Sequence, residues 1–595
     1  MVRLAWNDTL EWADRHWRAV IVAAWLCACA WMLYQRWNGV HWFALPDTDD
    51  NLRMAQVRAW LNGQGWYDLR QYKLDPPVGA NIHWSRVVDL PIAGLILLGR
   101  LFTSGANAER MAVAVAPLLP YLPLGLALGL TMRRLVAPAA YVLALGTLFF
   151  AGSTNGMFMP LRIDHHGWQI ALLATAMAGL ADPKAARGGL TTGLATALSL
   201  SIGLEMLIYL AVAAAAQVLM WVDDEGQRRR IAAYGASLAG GTALGFLLFA
   251  SIANRAPVCD ALSPVWLSDA LLGGGLLWLL AWRSPAAWPR RLALALGAGV
   301  AVAAFHALAW PHCLSRLEGV SPEVQRLWLD NVREAKPLYR HSTNTIVMVA
   351  TLPVIGVIGW TLLAFRNRRN RDLLRRTLAL AAVALASALL LLWQTRAGPS
   401  AQMLAIPGAA AVAWILVPFA WRAKNPLVFA VGTAGALMLG VGAAAPLARD
   451  FIPSPLPTKR EIAINRANRT CPSLGALGPV ARQPKGTIFT FVDLAPRVIA
   501  VTHHRSIAGP YHRNGAAIAD VMKAFRGDAD NARAIITRHR SDYVMICPMM
   551  SQATVFMAGA PRGFYVQLAN GRVPDWLEPV DLGKDNPLRL WRVKR

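Results

Sequence analysis

Charged residues are scarce in this chain, 16% of 595 positions against 55% hydrophobic. So low a share excludes an ordinary soluble protein of this size and fits a polytopic membrane protein. Acids are the scarcer sign, 34 against 59 basic residues, leaving a formal charge of +25. That excess does not mark a nucleic-acid partner. The basic residues sit in short clusters between apolar runs, as in cytoplasmic loops under the positive-inside rule. Cysteine is rare too, and six are too few for a disulfide scaffold. Cys27 and Cys29 lie inside the first apolar run as packing residues. Cys259, Cys313, Cys471 and Cys547 leave room for two disulfides on an oxidising side without fixing them. No small-residue cleavage site follows the run 20–34, so it reads as a retained helix.

Long hydrophobic runs are what the chain has in plenty. Runs near the ~20 residues that span a bilayer fall at 18–36, 112–132, 136–152, 169–181, 189–204, 206–222, 231–252, 265–282, 291–310, 344–365, 376–394, 404–421 and 427–446. About thirteen spans result, with the split around Glu205 leaving twelve or fourteen open. When thirteen alternate, Arg133–Arg134, "DPKAAR", "DDEGQRRR", "WRSPAAWPRR", "RNRRNRDLLRR" and "WRAK" all fall on one side, the cytoplasm. The opposite, outer face collects the long loops 37–111, 153–168, 253–264, 311–343 and 395–403. Within the first of these, 87–102 reads as an interfacial helix. The fold class is therefore a polytopic α-helical membrane protein over 1–450, followed by a soluble α/β domain over 451–595 on the outer face. In that domain 486–492, 497–502 and 542–547 read as strands and 514–525 as a helix, after a linker at 453–460.

Four polar clusters share the outer face. Asp47, Asp49 and Asp50 crowd together before a helix at 51–62. Like charges this close repel unless a cation or base neutralises them, and clustered carboxylates suit a hard divalent ion. They would equally cap the helix N-terminus, and the residues alone leave both readings open. "MPLRIDHHGWQIALL" (159–173) places Asp164 and His166 at i and i+2 just after Arg162. One oxygen and one nitrogen ligand suit Mn²⁺ or Zn²⁺; the bland reading is an Arg162–Asp164 ion pair on a loop rim. Glu334 lies in the loop 311–343, where a lone glutamate is ordinarily solvated. Arg396 stands at the outer mouth of a span, placed either to snorkel to headgroups or to bind phosphate as a planar fork donor.

Taken together, this layout resembles the catalytic subunit of oligosaccharyltransferase in its archaeal and bacterial forms, among the class C (GT-C) membrane glycosyltransferases. Asp47 and Arg53, six residues apart and followed by "PPVGANIHW" (76–84), match the family's first-loop motif. Asp164-His165-His166 matches its Asp-His-His motif, and "NVREAKP" (331–337) the segment carrying a glutamate. The resemblance implies catalytic roles for Asp47 and Glu334, and a divalent metal, Mn²⁺ or Mg²⁺, on Asp47, Asp164 and His166. It also implies that Arg396 contacts the donor phosphate. The family's Trp-Trp-Asp-Tyr-Gly motif, which reads the Asn-x-Ser/Thr acceptor, is degenerate here. Asp493 stands for its aspartate and both tryptophans are missing, with Tyr511, His512 and Arg513 nearby as further acceptor-site candidates.

The expected activity is metal-dependent transfer of a sugar or oligosaccharide from a polyprenyl-(pyro)phosphate-linked donor, in the bilayer, to an unidentified acceptor. The expected location is the periplasmic side of a bacterial inner membrane. A mannosyl- or aminoarabinosyl-transferase using a polyprenyl-monophosphate sugar is the nearest alternative. A polysaccharide or lipid transporter is a more distant one, since the spans are nearly free of charge and show no internal repeat. Glu205 is the main acid within the apolar region.

Overall fold

A computed structural model describes residues 2–314, 320–449, 451–453 and 456–594. The loop 311–343 is thus described apart from 315–319, and the domain boundary and linker apart from 450, 454 and 455.

Each apolar run contains a helix. Among the described residues, eight helical stretches are long and apolar enough to cross a membrane. They are Trp17–His41, Gly105–Leu135, Glu225–Phe249, Pro264–Arg283, Trp288–Ala309, Thr343–Asn367, Arg371–Leu390 and Thr395–Trp421. Tyr141–Phe150, Leu207–Asp223 and Pro426–Gly440 are apolar but shorter. In lipid the hydrophobic effect does not drive helices together, so they pack by letting backbones approach closely. Thr343–Asn367 and Gly398–Trp421 show how: a Cβ on Gly359 would stand 1.9 Å from the Gly408 carbonyl oxygen. Only glycine permits that contact.

The long first loop is structured. It carries the helices Thr48–Leu61 and Asp89–Arg100, the second where an interfacial helix was expected. Between them an extended stretch reaches the C-terminal region: Ser506 donates its N–H to the Lys73 carbonyl at 2.8 Å, and Asp75 N–H reaches the Ser506 carbonyl at 3.0 Å.

That C-terminal region holds a five-stranded sheet of β1 (Thr487–Phe489), β2 (Arg505–Ser506), β3 (Tyr543–Ile546), β4 (Leu577–Val580) and β5 (Arg589–Val593), in the order β2-β1-β3-β5-β4. β1 pairs in parallel with β2 and β3; β5 is antiparallel to β3 and β4. The loop segment at Lys73–Asp75 lies on the open edge of β2 and covers it, which removes an exposed pairing edge.

Two strand expectations are met at β1 and β3, and the helix Gly515–Arg526 matches the third element. The run 497–502 is not a strand. It forms the helix Ala495–Val501 with Pro496 in its first turn, where proline's fixed φ favours helix entry. Short β-branched runs carry no decisive period, and tertiary packing settles this one. Ala495 and Ile499 are buried with Leu52, Ala55, Leu74, Ile82, Trp84 and Tyr511, which joins the C-terminal region to the first loop. Burying side chains such as Leu52, Ile82 and Ile499 is worth about 1.5–3 kcal/mol each. Two disulfides are present, Cys259–Cys313 and Cys471–Cys547.

Candidate active site

Asp47 is the N-cap of the helix Thr48–Leu61, its Oδ1 accepting the Asp49 N–H at 3.3 Å. Asp49 and Asp50 fill the first turn, where the helix dipole favours negative charge. The capping reading therefore holds, and it holds alongside a second role. Asp47 Oδ2 accepts from Arg162 Nη1 at 2.7 Å, and the same nitrogen lies 3.3 Å from Asp50 Oδ2. Arg162 Nη2 donates to Asp164 Oδ2 at 2.5 Å. Carboxylates more than a hundred residues apart in the chain thus converge on one guanidinium.

Local backbone geometry aims that arginine. Leu161 just before it adopts φ 80°, uncommon for a residue with a side chain. Its burial and its N–H bond to the Val113 carbonyl at 2.8 Å hold it there. Asp164 then turns the chain into the helix His166–Leu180: its Oδ1 accepts the His166 N–H at 3.0 Å and its own N–H donates to Asp50 Oδ1 at 3.1 Å. His166 Nδ1 lies 3.3 Å from Asp164 Oδ1, but off hydrogen-bond geometry, and this buried nitrogen has no hydrogen-bond partner among the described residues.

Charge sets the protonation pattern. Burial would raise the Asp47 carboxyl, but Arg162 overrides it and holds the group below its usual range. Asp50 is pushed well up, by burial first and by its acidic neighbours, against the pull of Arg162. Asp49 is raised to about 7 by burial and by the charges of Asp47, Asp164 and Glu334. Unlike Asp47, whose two oxygens serve the cap and Arg162, the Asp49 carboxylate accepts no hydrogen bond among those of the described residues.

Glu334 and Arg396 meet each other. Arg396, in the turn Thr395–Ala397 that opens the helix Gly398–Trp421, donates from Nη2 to Glu334 Oε1. Both side chains are half exposed, 50% and 58%, so the guanidinium keeps donors facing outward. Glu334 joins the cluster through its charge on Asp49, and Arg396 feels the charges of Glu205 and Asp49.

Two groups were not read from the sequence as site residues. His165, between the two expected ligands, turns away: its Nε2 lies 2.8 Å from Glu205 Oε1 and its Nδ1 3.4 Å from Arg53 Nη2. Glu205 sits where the helices Ala185–Ile202 and Leu207–Asp223 separate, and also accepts from Gln169 Nε2 at 2.7 Å. A Cβ on Gly203 would come 2.5 Å from Glu205 Oε2, so any larger residue there would displace the end of that carboxylate. Arg53 stacks over Trp84 at 4.3 Å and forms a buried pair with Asp89 at 2.9 Å, tying together both halves of the first-loop motif.

The acceptor-site candidates divide. Tyr511 is buried and its hydroxyl donates to the Thr48 carbonyl at 2.9 Å, against the acidic turn. Asp493 lies close enough to Asp47 for that charge, after burial, to help raise its carboxyl to about 6. His512 and Arg513 instead engage Asp260, at 2.6 Å from His512 Nε2 and 2.5 Å from Arg513 Nη2.

No protein-family model matches the chain, and no curated protein matches it. Solved structures do. The chain superposes on archaeal oligosaccharyltransferase AglB from Archaeoglobus fulgidus, in complex with an inhibitory peptide and a dolichol-phosphate, with TM-score 0.69 and 15% identity over 96% of this chain and 73% of that one. Against the Archaeoglobus fulgidus oligosaccharyltransferase tethered to an acceptor peptide containing the NVT sequon, the TM-score is 0.64 at 14% identity, covering 98% and 75%. Against its complex with Zn and sulfate the values are 0.59 and 15%, covering 95% and 72%. At these identities the likeness is one of fold. The chain has the class C glycosyltransferase fold of archaeal oligosaccharyltransferase, the family its sequence resembles.

Proposed function

We propose that this protein transfers a sugar or oligosaccharide from a polyprenyl-(pyro)phosphate donor to an acceptor, at the outer surface of the membrane, with a divalent cation. The observation that carries the reading is the convergence of Asp47, Asp50 and Asp164 on Arg162, with Asp49 and His166 beside them. This convergence occurs in a fold shared with Archaeoglobus fulgidus oligosaccharyltransferase structures, one solved with a dolichol-phosphate and one with zinc and sulfate.

The donor types suit a cation. Asp164 Oδ1 and His166 Nδ1 lie side by side at 3.3 Å, and Asp49 offers a carboxylate that accepts no hydrogen bond among the described residues. Two oxygens and one nitrogen suit Mn²⁺, Mg²⁺ or Zn²⁺ to different degrees. We assign the ligands as Asp49, Asp164 and His166, with Glu334 near them. Asp47, the carboxylate expected on the metal, is held by Arg162 and positions the turn. When bound, a divalent ion there supplies Lewis-acid neutralisation of charge developing on the leaving phosphate.

The chain's own groups supply the rest. Arg396, with outward donors beside Glu334, binds the donor phosphate by charge-assisted hydrogen bonds. Its pairing with Glu334 fixes the fork before substrate arrives. Asp47 or Asp493 orients the acceptor nucleophile, and Tyr511 closes the site on the C-terminal side. The degenerate sequon motif leaves the acceptor open among protein, lipid and glycan.

For topology we propose thirteen spans over 1–450 and an outer domain over 451–595, on the periplasmic side of a bacterial inner membrane. The Cys259–Cys313 disulfide supports this, because it joins two loops assigned to one face, and both disulfides suit an oxidising compartment.

Glycan transfer by membranes carrying Asp164→Ala or Glu334→Ala tests the reading, with mass spectrometry of the co-purified lipid to count one phosphate or two. Loss of transfer with folded protein is expected. Undiminished transfer by Asp164→Ala overturns the site.

A further inference from the structure

Separate from the transfer site, we propose that His83, Asp260 and His512 form a second cation site of the zinc class, which clasps the C-terminal region to two outer loops. The three residues come from distant parts of the chain: the first loop, the loop between Glu225–Phe249 and Pro264–Arg283, and the turn before the helix Gly515–Arg526. Each offers one ligand atom, and those atoms all lie within 4.8 Å of one another. His512 Nε2 is 2.6 Å from Asp260 Oδ2, and the His83 and His512 rings lie 4.6 Å apart between centroids.

Two imidazoles facing one carboxylate are more than hydrogen bonding satisfies. His512 takes the carboxylate, while the buried His83 Nδ1 has no hydrogen-bond partner among the described residues. An apolar ring would close this loop without that cost, since an unsatisfied buried polar atom is destabilising. A cation bound by the two rings and Asp260 would use the groups as they stand. Two nitrogens and one oxygen form the three-ligand set of an open tetrahedral zinc site.

The surroundings are those of a built site. Arg513 grips the same carboxylate, Nε to Oδ2 at 2.8 Å and Nη2 to Oδ1 at 2.5 Å, and reaches Asn254 Oδ1 at 2.7 Å and Asn81 Oδ1 at 3.2 Å. Asn254 Nδ2 donates to the His83 carbonyl at 3.1 Å. Outer partners of this kind fix ligand orientation and tune affinity. Arg513 balances one carboxylate charge, so the clasp holds together without the cation and tightens with it. Because His83 precedes Trp84, whose ring packs against His165 and Tyr511 at 5.5 and 5.7 Å, the clasp adjoins the transfer site without sharing a ligand with the set assigned there.

The test uses the full-length protein in detergent, stripped with chelator and titrated with zinc alone. Asp164→Ala serves as the background, so that the proposed transfer site contributes no complete ligand set. Elemental analysis is expected to find one tightly held zinc per chain in this background, with a rise in Tm. His83→Gln and His512→Gln, each added to it, are expected to lose both the zinc and the rise. Cobalt(II) should give the visible absorption of a four-coordinate ion before the His83→Gln change and not after it. No zinc uptake by the Asp164→Ala protein overturns the proposal, as does uptake that both glutamine variants retain. Failure of transfer activity bears only on the other site, since this readout is binding. Should the glutamine variants misfold, the cobalt spectrum of the Asp164→Ala protein still decides: a six-coordinate or absent signal overturns the site.

Discussion

Arg162 bridges Asp47 and Asp164, one Nη on each carboxylate, at 2.7 and 2.5 Å. Asp50 lies 3.3 Å from the first of those nitrogens with its side chain fully buried. Removing the guanidinium leaves buried acids facing each other uncompensated, a loss of about 3–5 kcal/mol for a broken buried pair. Arg162→Ala is therefore expected to lower Tm sharply in chelator, and a divalent cation to restore part of the drop. Tm of the purified variant with and without Mn²⁺ checks this. A variant as stable as the parent in chelator would show that Arg162 does not carry the cluster.

Asp47 and Asp49 are separated by the same logic. Asn caps a helix as well as Asp does, so Asp47→Asn keeps the helix start and loses only the charge toward Arg162. Asp49→Asn removes the carboxylate assigned to the cation. It is expected to weaken cation binding by at least the 10–100-fold typical of losing an outer-shell partner, and to weaken it more than Asp47→Asn does. Calorimetric titration of both variants with Mn²⁺ checks the order. The reverse order would return the ligand role to Asp47.

Much of this site was legible because its residues sit in short motifs at fixed spacing: Asp47 with Arg53, Asp164 with His166. Which of the three clustered acids engage Arg162 was not, since that depends on how the first helical turn is rotated against the 153–168 loop. The Glu205–His165 pair was hidden for a similar reason. The runs 189–204 and 206–222 place a break at Glu205, but not which groups the acid meets across it. Helices were read well wherever hydrophobic runs were long. The miss at Ala495–Val501 came from a six-residue run, 497–502, with no usable period, settled by contacts with Leu52 and Ile82.

Glu205 also separates a transferase from a transporter. An acid that relays protons or ions must change charge, and an amide cannot. As a fixed partner of His165 and Gln169, at 2.8 and 2.7 Å, it needs mainly its acceptor oxygens. Glu205→Gln is expected to keep glycan transfer within about tenfold, the scale of one hydrogen bond. Transfer assays on membranes of the variant check it. Complete loss with intact folding would give Glu205 a chemical role.

Beyond the far end of the helix His166–Leu180, Asp182 holds a network of a different kind. Its buried carboxylate takes Arg134 Nη2 at 2.8 Å, Arg187 Nε at 2.6 Å and the Lys184 N–H at 2.8 Å. Burial would raise this carboxyl, but Arg187, the Lys184 N–H and Arg134 override it and lower it. A lowered folded value contributes stability that is present above the unfolded value, about 4, and is lost as pH falls through the folded one. Asp182→Asn is expected to cost about 3 kcal/mol at neutral pH, the scale of breaking a buried ion pair. The gap between parent and variant should narrow in acid, because the parent alone loses this contribution there. Tm of both proteins, measured from neutral pH down to about one unit below the unfolded value, checks the sign. A gap that widens in acid would mean the carboxylate is not what holds the arginines.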